Sequence, residues 1–175
     1  KQAILNALDA GATSIEHCSF MDEEVIEKLL EKKAYIIPTF TPYVRIAENG
    51  VVPGTWLTPF VISVAKEVNE RKGRQFANAY HAGVNIAFGR DAGATYTAHE
   101  DFLFEMQQME SYGMTRKDIL NSATITAAKN MRIENKVGSL EPGKYADLLI
   151  LSANPMDDLS NLKQAEQIMK GGTFI

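Results

Sequence analysis

Apolar residues recur along the chain with two alternating periods, one typical of helices and one typical of strands. Residues 1–10 place apolar side chains on one helical face, and residues 13–18 form a short segment that predicts a strand. A second helix follows, with three acidic residues at its start, 22–24, and two lysines at its end, 32–33. These charges complement the helix dipole. The opening of the chain therefore predicts a helix already under way at its first residue, followed by one strand–helix unit.

The same order of strand and helix recurs twice more in the middle of the chain. Residues 34–40 form an apolar run ended by prolines, which predicts a buried strand, and residues 43–57 predict a long functional loop or lid. Residues 58–82 predict a helix with a candidate break at Gly73. Large apolar residues occupy alternate positions over residues 84–88, which predicts a further strand. Three strand–helix units in succession favour parallel strands joined by crossover helices.

Two more helices are predicted before the pattern changes from helices to turns and short strands. The first covers residues 99–112, and the second covers residues 115–130 and starts at a Thr-x-x-Asp capping box. A turn-rich segment, an apolar strand and two short segments joined by a pair of glycines follow, and the glycines favour a hairpin. We therefore predict two domains, residues 1–134 and residues 135–175, of which the second is a small β domain.

The third predicted strand leads into an aspartate, Asp91, that small residues flank on the carboxyl side. Gly83, Gly89 and Gly93 bracket the strand and the aspartate with positions that tolerate unusual backbone angles. An acid at the carboxyl end of a parallel strand is how barrel enzymes present a catalytic group. The other interpretation is that Asp91 forms a turn or caps the next helix. This segment alone leaves both interpretations open.

The composition narrows the class of protein and its partners. The chain has 175 residues, of which 45% are hydrophobic and 23% are charged, as is typical of a soluble globular protein. The net charge of −4 and the scattered basic residues offer no surface for a nucleic-acid backbone, so we expect no nucleic-acid partner. Cys18 is the only cysteine, which excludes an internal disulfide. No apolar run approaches the roughly 18 residues of a membrane helix, so we expect no membrane partner and a cytoplasmic location.

Three sequence motifs add a family resemblance to this pattern. They are Ser-Ile-Glu-His at residues 14–17, Phe-Gly-Arg-Asp-Ala-Gly at residues 88–93, and Gly-Ser-Leu-Glu-Pro-Gly-Lys-Tyr-Ala-Asp-Leu-Leu-Ile-Leu at residues 138–151. Together they resemble the metal-dependent amidohydrolase superfamily, in particular its imidazolonepropionase-like and dipeptidase-like members. The third motif is the most specific, and residues 169–172 match the closing hairpin of that family. The resemblance covers nearly the whole chain, in order.

The resemblance implies an α/β fold that corresponds to about the last three βα units of a TIM (β/α)₈ barrel plus the end of a small composite β-sandwich domain. It places His17 at the end of the sixth barrel strand as a metal ligand. It places Asp91 at the end of the eighth strand, as a metal ligand and as the catalytic group that takes a proton from the attacking water. The implied cofactor is one or two divalent ions, zinc above all, because imidazole suits zinc and a bound ion lowers the pKa of its water. The implied reaction is hydrolysis of a C–N bond in a small-molecule amide, cyclic amide or dipeptide.

The chain departs from the family pattern beside two motifs, and it has two further histidines. Arg90 stands where the family has threonine or serine, and strand alternation predicts that it turns outward toward the helices if Asp91 points inward. Cys18 stands where glycine is common, and we expect a small buried residue there rather than a ligand. His81 is expected on the surface or in the packing of a helix. His99 is expected at the surface, close enough to the mouth of the barrel to meet substrate.

Several ligands that the family uses have no counterpart in this sequence: the His-x-His pair, the bridging lysine and the fifth-strand histidine. His17 and Asp91 alone cannot hold a catalytic metal, because such sites use at least three protein ligands. We therefore interpret the chain as the carboxyl-terminal part of a larger enzyme that is inactive when isolated. Because its strand edges are unpaired, we expect the isolated chain to form a homo-oligomer that covers them or to adopt a non-native arrangement. Two alternatives remain open: a heterocycle deaminase that uses the same ligands, and a catalytically inactive amidohydrolase-like scaffold.

Overall fold

Short strands and longer helices alternate through most of the chain. The computed structural model describes residues 1–175. The strands are β1 (Ser14–Glu16), β2 (Tyr35–Ile37), β3 (Asn85–Ile86), β4 (Leu148–Leu151), β5 (Ala165–Lys170) and β6 (Thr173–Phe174). The helices are α1 (Gln2–Asp9), α2 (Glu23–Lys32), α3 (Phe40–Asn49), α4 (Pro59–Ala82), α5 (Phe102–Ser111), α6 (Arg116–Ala123) and α7 (Ile125–Asn130), with a 3₁₀ helix at Leu159–Lys163.

The first three strands form a parallel sheet in the order β1-β2-β3. Ile36 in the central strand pairs with Ile15 on one side and Ile86 on the other. Ile36 and Ile86 are both buried, as expected for a sheet with helices packed on it. Helix α2 connects β1 to β2, and α3 and α4 connect β2 to β3, which confirms the predicted crossover arrangement. Because the strands are parallel, their carboxyl ends meet at one edge of the sheet.

Capping residues delimit α2 and α4 where the sequence predicted these helices. A carboxylate oxygen of Asp22 accepts a hydrogen bond of 3.2 Å from the backbone N–H of Val25 at the start of α2. The hydroxyl of Thr58 accepts one of 3.4 Å from Val61 at the start of α4. Gly83 ends α4 with φ of 89°, a left-handed conformation that glycine adopts without steric cost. None of the helices combines the length and the apolar character that crossing a bilayer requires.

A single cluster of buried apolar side chains lies between the parallel sheet and the helices. Its most deeply buried members include Leu8, Val25, Leu29, Ile36, Phe40, Phe76, Met109 and Ile119. Leu159, in the 3₁₀ helix, is also in this cluster, and that helix packs against α5. One segment of the predicted second domain therefore contributes to the core of the first. The division at residues 134 and 135 stays a prediction.

The last three strands form a separate antiparallel sheet in the order β4-β5-β6. Leu149 of β4 pairs with Ile168 of β5. Gly171 and Gly172 connect β5 to β6 with φ of 56° and 83°, the positive angles that tight two-residue hairpins require. The glycine pair therefore forms the predicted turn.

Only part of the segment predicted as a loop, residues 43–57, is irregular, because helix α3 occupies Phe40–Asn49 and the loop covers residues 50–58. The preceding strand is correspondingly short and ends at Ile37. Pro42 lies in the first turn of α3, where a helix needs no backbone N–H from that residue. The proline thus belongs to a helix start, although in the sequence it resembles the end of a strand.

The predicted break at Gly73 is absent, and α4 runs without interruption for 24 residues. Gly73 is instead required by packing, because a Cβ atom at this position would lie 2.1 Å from Cε1 of Tyr112. The helix predicted over residues 115–130 does break, at Thr124, where φ of −123° and ψ of −97° leave the helical region. The result is two short helices, α6 and α7, in place of one.

Candidate functional site

A non-glycine residue with a left-handed backbone follows each of the three parallel strands. The φ angles are 62° at His17 after β1, 49° at Thr39 after β2 and 56° at Asp91 after β3. Such angles are uncommon outside glycine, and a β-branched residue such as threonine adopts them least readily. Strained positions of this kind cluster at functional sites, where the surrounding structure holds them. The carboxyl edge of the sheet is therefore the candidate site.

His17 and Asp91 line the same cavity, which has a volume of about 460 Å³. Its other lining residues come from α3, from α4 and from the loops at the carboxyl edge of the sheet: Pro42, Tyr43, Ile46, Trp56, Val61, Val64, Ala65, Ala94 and Thr95. The His17 ring is partly buried and the Asp91 side chain is exposed. The two predicted site residues, far apart in the sequence, thus face one space.

The Thr39 hydroxyl determines which ring nitrogen of His17 carries a proton. That hydroxyl donates a hydrogen bond of 2.7 Å to the backbone carbonyl of Pro38. Its oxygen also lies 2.7 Å from Nδ1 of His17. Because the hydroxyl has a single hydrogen, Nδ1–H must be the donor to Thr39, and Nε2 keeps its lone pair. An imidazole fixed in this way by a second residue is the usual form of a metal-binding histidine.

A buried lysine contacts the backbone of Thr39. Lys72 of α4 is 0% exposed, and its Nζ donates a hydrogen bond of 3.2 Å to the backbone carbonyl of Thr39. The same ammonium lies 4.6 Å from the centre of the Tyr43 ring. Burial lowers the pKa of Lys72 to about 8, against the opposing attraction of the Glu105 carboxylate. Lys72 therefore holds the strained segment that in turn orients His17.

Glu105 of α5 is also 0% exposed, and it caps the start of α3. Its carboxylate accepts hydrogen bonds from the backbone N–H of Phe40 at 2.8 Å, from the N–H of Thr41 at 2.7 Å and from the Thr41 hydroxyl at 2.5 Å. Burial raises the pKa of Glu105, and these hydrogen bonds oppose that rise. A carboxylate at a helix N-terminus satisfies free N–H groups and complements the helix dipole. Glu105 therefore positions the helix that forms one wall of the cavity.

Arg90 is buried, with 7% of its surface exposed, and it does not line the cavity. Its guanidinium donates to the backbone carbonyls of Ala98 and, at 2.9 Å, of His99. Arg90 therefore anchors the loop that follows Asp91. The orientation predicted from strand alternation does not apply, because β3 ends at Ile86, before this position.

The remaining candidate residues are Cys18, His81 and His99. Cys18 is buried in the core cluster, as predicted, and burial raises its pKa to about 12, so it stays a thiol rather than a thiolate ligand. His81 is exposed near the end of α4, and His99 is exposed in the loop after Asp91. Nowhere does the chain gather three or more His, Cys, Asp or Glu side chains that could hold a metal ion. The metal roles of His17 and Asp91 stay predictions.

The sequence interpretation missed Thr39, Lys72 and Glu105. Lys72 carried a detectable signal, because it occupies the same helical face as Ala65, Phe76 and Ala79, all of which are buried. Glu105 similarly lies between Leu103 and Met106 in an otherwise apolar stripe. A charged residue at a core position of an amphipathic helix is rarely buried without a partner. Thr39 carried no such signal in the sequence.

Comparisons with known proteins identify the family of the chain. The profile of the amidohydrolase family matches residues 1–174. The chain is similar to ochratoxinase from Aspergillus niger, with 28% identity over an alignment of 179 residues. The alignment covers 98% of this chain and 35% of that protein. It is also similar to imidazolonepropionase from Streptococcus gordonii, with 28% identity over 155 residues that cover 86% of this chain and 42% of that protein.

Among solved structures, the chain is similar to a Xaa-Pro dipeptidase with bound methionine in the active site. The TM-score is 0.90 at 35% identity, and the match covers 99% of this chain and 42% of that one. The chain thus spans 35% to 42% of the length of these relatives. The neighbours are amidohydrolases with TIM barrels, which confirms the predicted partial barrel. Because the family profile matches nearly every residue, the chain belongs to the amidohydrolase family.

Proposed function

We propose that this chain, together with the remaining length that its relatives have, hydrolyses a C–N bond in a small-molecule amide or dipeptide. The observation that carries the proposal is that His17 and Asp91 line one cavity at the carboxyl edge of parallel strands. This is the edge at which barrel enzymes carry out their chemistry. The family membership and the relatives named imidazolonepropionase and Xaa-Pro dipeptidase support the same class of reaction.

The donors present fit part of a zinc site. His17 offers the lone pair of Nε2, and Asp91 offers carboxylate oxygens to the same cavity. A zinc site in an enzyme uses at least three protein ligands, so at least one more donor must come from outside this set. When bound, a divalent ion lowers the pKa of its water ligand and polarises the substrate carbonyl.

Asp91 carries the proton transfers in this proposal. Its exposed carboxylate accepts a proton from the attacking water as the water adds to the amide carbon, and it then donates that proton to the leaving nitrogen. The Thr39 hydroxyl orients the His17 ring by accepting a hydrogen bond from its Nδ1–H. Arg90 fixes the loop after Asp91 through two backbone carbonyls, which limits the positions that the carboxylate can reach.

The replacement Asp91→Asn tests the proposal in the protein that carries the complete metal site. We expect kcat to fall by about 10²- to 10⁴-fold, because an amide cannot accept the proton. The thermal midpoint should remain that of the wild type, since Asp91 is exposed. Glu100→Gln, an exposed acid in the same loop, is the matched control and should keep its activity. A near-normal rate for Asp91→Asn would remove this residue from the mechanism.

The products separate the proposed reaction from its alternatives. Hydrolysis of an amide or dipeptide releases a carboxylic acid and an amine, whereas a deaminase releases ammonia from a heterocycle. A protein with a full complement of metal and no turnover of either substrate class would instead support the scaffold interpretation. Metal content by elemental analysis and amine release by colorimetric assay are the two measurements.

A further inference from the structure

One wall of the cavity that holds His17 and Asp91 is apolar. We call it the apolar wall and define it as Ile46 of α3, Trp56 of the following loop, and Val61 and Val64 of α4. Apart from His17 and Asp91, no lysine, arginine, aspartate, glutamate or histidine lines the cavity. The wall is therefore uncharged, and it lines the same cavity as His17 and Asp91.

Part of the apolar wall is exposed in this chain. Trp56 is 57% exposed and Val64 is 40% exposed. The volume of about 460 Å³ lies within the usual range for small-molecule pockets, which combine apolar walls with a few polar groups. Covering such surface with an apolar group releases water and is favourable. The wall thus has the size and the chemistry to bind one side group of a small molecule.

We propose that the apolar wall binds an uncharged apolar or aromatic side group adjacent to the scissile bond of the substrate. The inference rests on the proposed function, which assigns Asp91 to the metal and to proton transfer. A carboxylate or ammonium on the same side group would lose its hydration against Ile46, Trp56 and Val64 without gaining a partner of opposite charge. The site therefore selects apolar over charged residues at this position of the substrate.

Trp56 is the only tryptophan in the chain, so its fluorescence reports on the wall directly. The experiment uses the whole 175-residue chain with a chelator present, which removes any dependence on metal or turnover. The probes are N-acetyl-L-phenylalaninamide and the amide of N-acetyl-L-aspartic acid, with excitation selective for tryptophan. We expect a saturable blue shift of Trp56 emission with the phenylalanine compound, and at least tenfold weaker binding of the aspartate compound.

Two matched variants test where the probe binds. Val64→Asn places an amide on the wall and should weaken binding of the phenylalanine compound by about tenfold or more. Leu30→Asn is the control, because Leu30 is 40% exposed on α2, like Val64, but does not line this cavity. No saturable shift, equal affinity for the two compounds, or equal weakening by the two variants would each overturn the inference.

The result is separable from that of the proposed function. A Trp56 response that follows these expectations supports the apolar wall even if Asp91→Asn later leaves turnover unchanged. Conversely, hydrolysis that depends on Asp91 while Trp56 responds equally to both compounds would leave the proposed reaction standing and overturn the substrate selection.

Discussion

Three residues with left-handed backbones, His17, Thr39 and Asp91, set the geometry of the site. A left-handed conformation costs a non-glycine residue about 1–2 kcal/mol. Thr39 is the least tolerant of the three, because its side chain branches at Cβ. Its hydroxyl bonds to Pro38 and His17, and its carbonyl accepts a hydrogen bond from Lys72. These contacts hold the strained residue and transmit its position to the imidazole.

Replacing Thr39 with valine keeps the branched shape and removes the hydroxyl, so it isolates the effect on His17. We expect the His17 ring to lose its preference for the Nδ1–H tautomer, because no acceptor remains at that nitrogen. Long-range ¹H–¹⁵N NMR of the imidazole, assigned with a His17→Gln variant, measures the tautomer without any metal. Thr39→Ser retains a hydroxyl and should restore the wild-type spectrum. Unchanged imidazole shifts in Thr39→Val would contradict the assigned hydrogen bond.

Lys72 should make stability depend on pH in the alkaline range. Its pKa is about 8 in the folded chain, against the ordinary value of 10.5 for an exposed lysine. Between pH 8 and pH 10.5 the unfolded chain therefore binds more protons than the folded chain. The free energy of unfolding therefore rises with pH across this window, as the buried ammonium becomes neutral. The rise that Lys72 contributes is on the order of 3 kcal/mol.

The Lys72→Met variant should lack this rise, and denaturant unfolding at several pH values between 7 and 11 measures the difference. Lys66→Met, at an exposed position of the same helix, serves as the control and should retain the wild-type profile. The other charged groups that act on Lys72 are Glu105 and Asp91, and the Cys18 thiol also contributes. Parallel profiles for Lys72→Met and the wild type would show that Lys72 does not titrate in this range.

Helix α3 shows why one element escaped the sequence analysis. Its N-cap residue, Thr39, makes no side-chain capping bond, so the local signal for a helix start is missing. The cap comes from Glu105, a residue of α5 that is distant in the sequence. Periodicity and local caps predicted α2 and α4 correctly because their signals are local. A cap from a residue that is distant in the sequence gives no local sequence signal in the segment that it stabilises.

Gly73 leads to a prediction about the packing of α4 on Tyr112. Alanine favours a helix over glycine by about 1 kcal/mol, which alone would stabilise the protein. The added Cβ would lie 2.1 Å from the Tyr112 ring, and overpacking of this kind costs typically about 1–3 kcal/mol. We expect Gly73→Ala to lower the free energy of unfolding, as measured by chemical denaturation.

Two further variants isolate the clash at Gly73. Asn78→Ala, at an exposed position of α4, carries no such clash and should be neutral or mildly stabilising. Removing the ring with Tyr112→Leu should make the second change, Gly73→Ala, less costly than it is in the wild type. A net gain in stability from Gly73→Ala alone would show that the ring moves aside freely.

On the scale of the whole molecule, the parallel sheet has two free edges. Both outer strands, β1 and β3, pair on one side only. Unpaired edges expose N–H and C=O groups and invite association. We expect the isolated chain to form an oligomer, with a mass by light scattering at least twice the 19.4 kDa of one chain. A well-dispersed monomer would show that the edges are sufficiently protected.

The sequence predicted the class of the whole molecule better than it predicted its details. The alternation of strand and helix, and the motifs at residues 14–17, 88–93 and 138–151, led to the partial barrel that the structural neighbours confirm. They also led to His17 and Asp91, which the structure brings to one cavity. The supporting charges of Lys72 and Glu105 depend on packing between distant helices, which no local pattern records.

The cap that Glu105 provides also has a consequence for the order in which the chain acquires its structure. Thr41 and Glu105 are separated by 64 residues, so this contact requires closure of a long loop. Chains emerge from the ribosome with the N-terminal end first, and the segment of α3 is made well before α5 exists. We therefore expect α3 to gain amide-exchange protection late, when α5 docks. Helix α3, which lines the cavity of His17 and Asp91, is then among the last parts of the molecule to become structured.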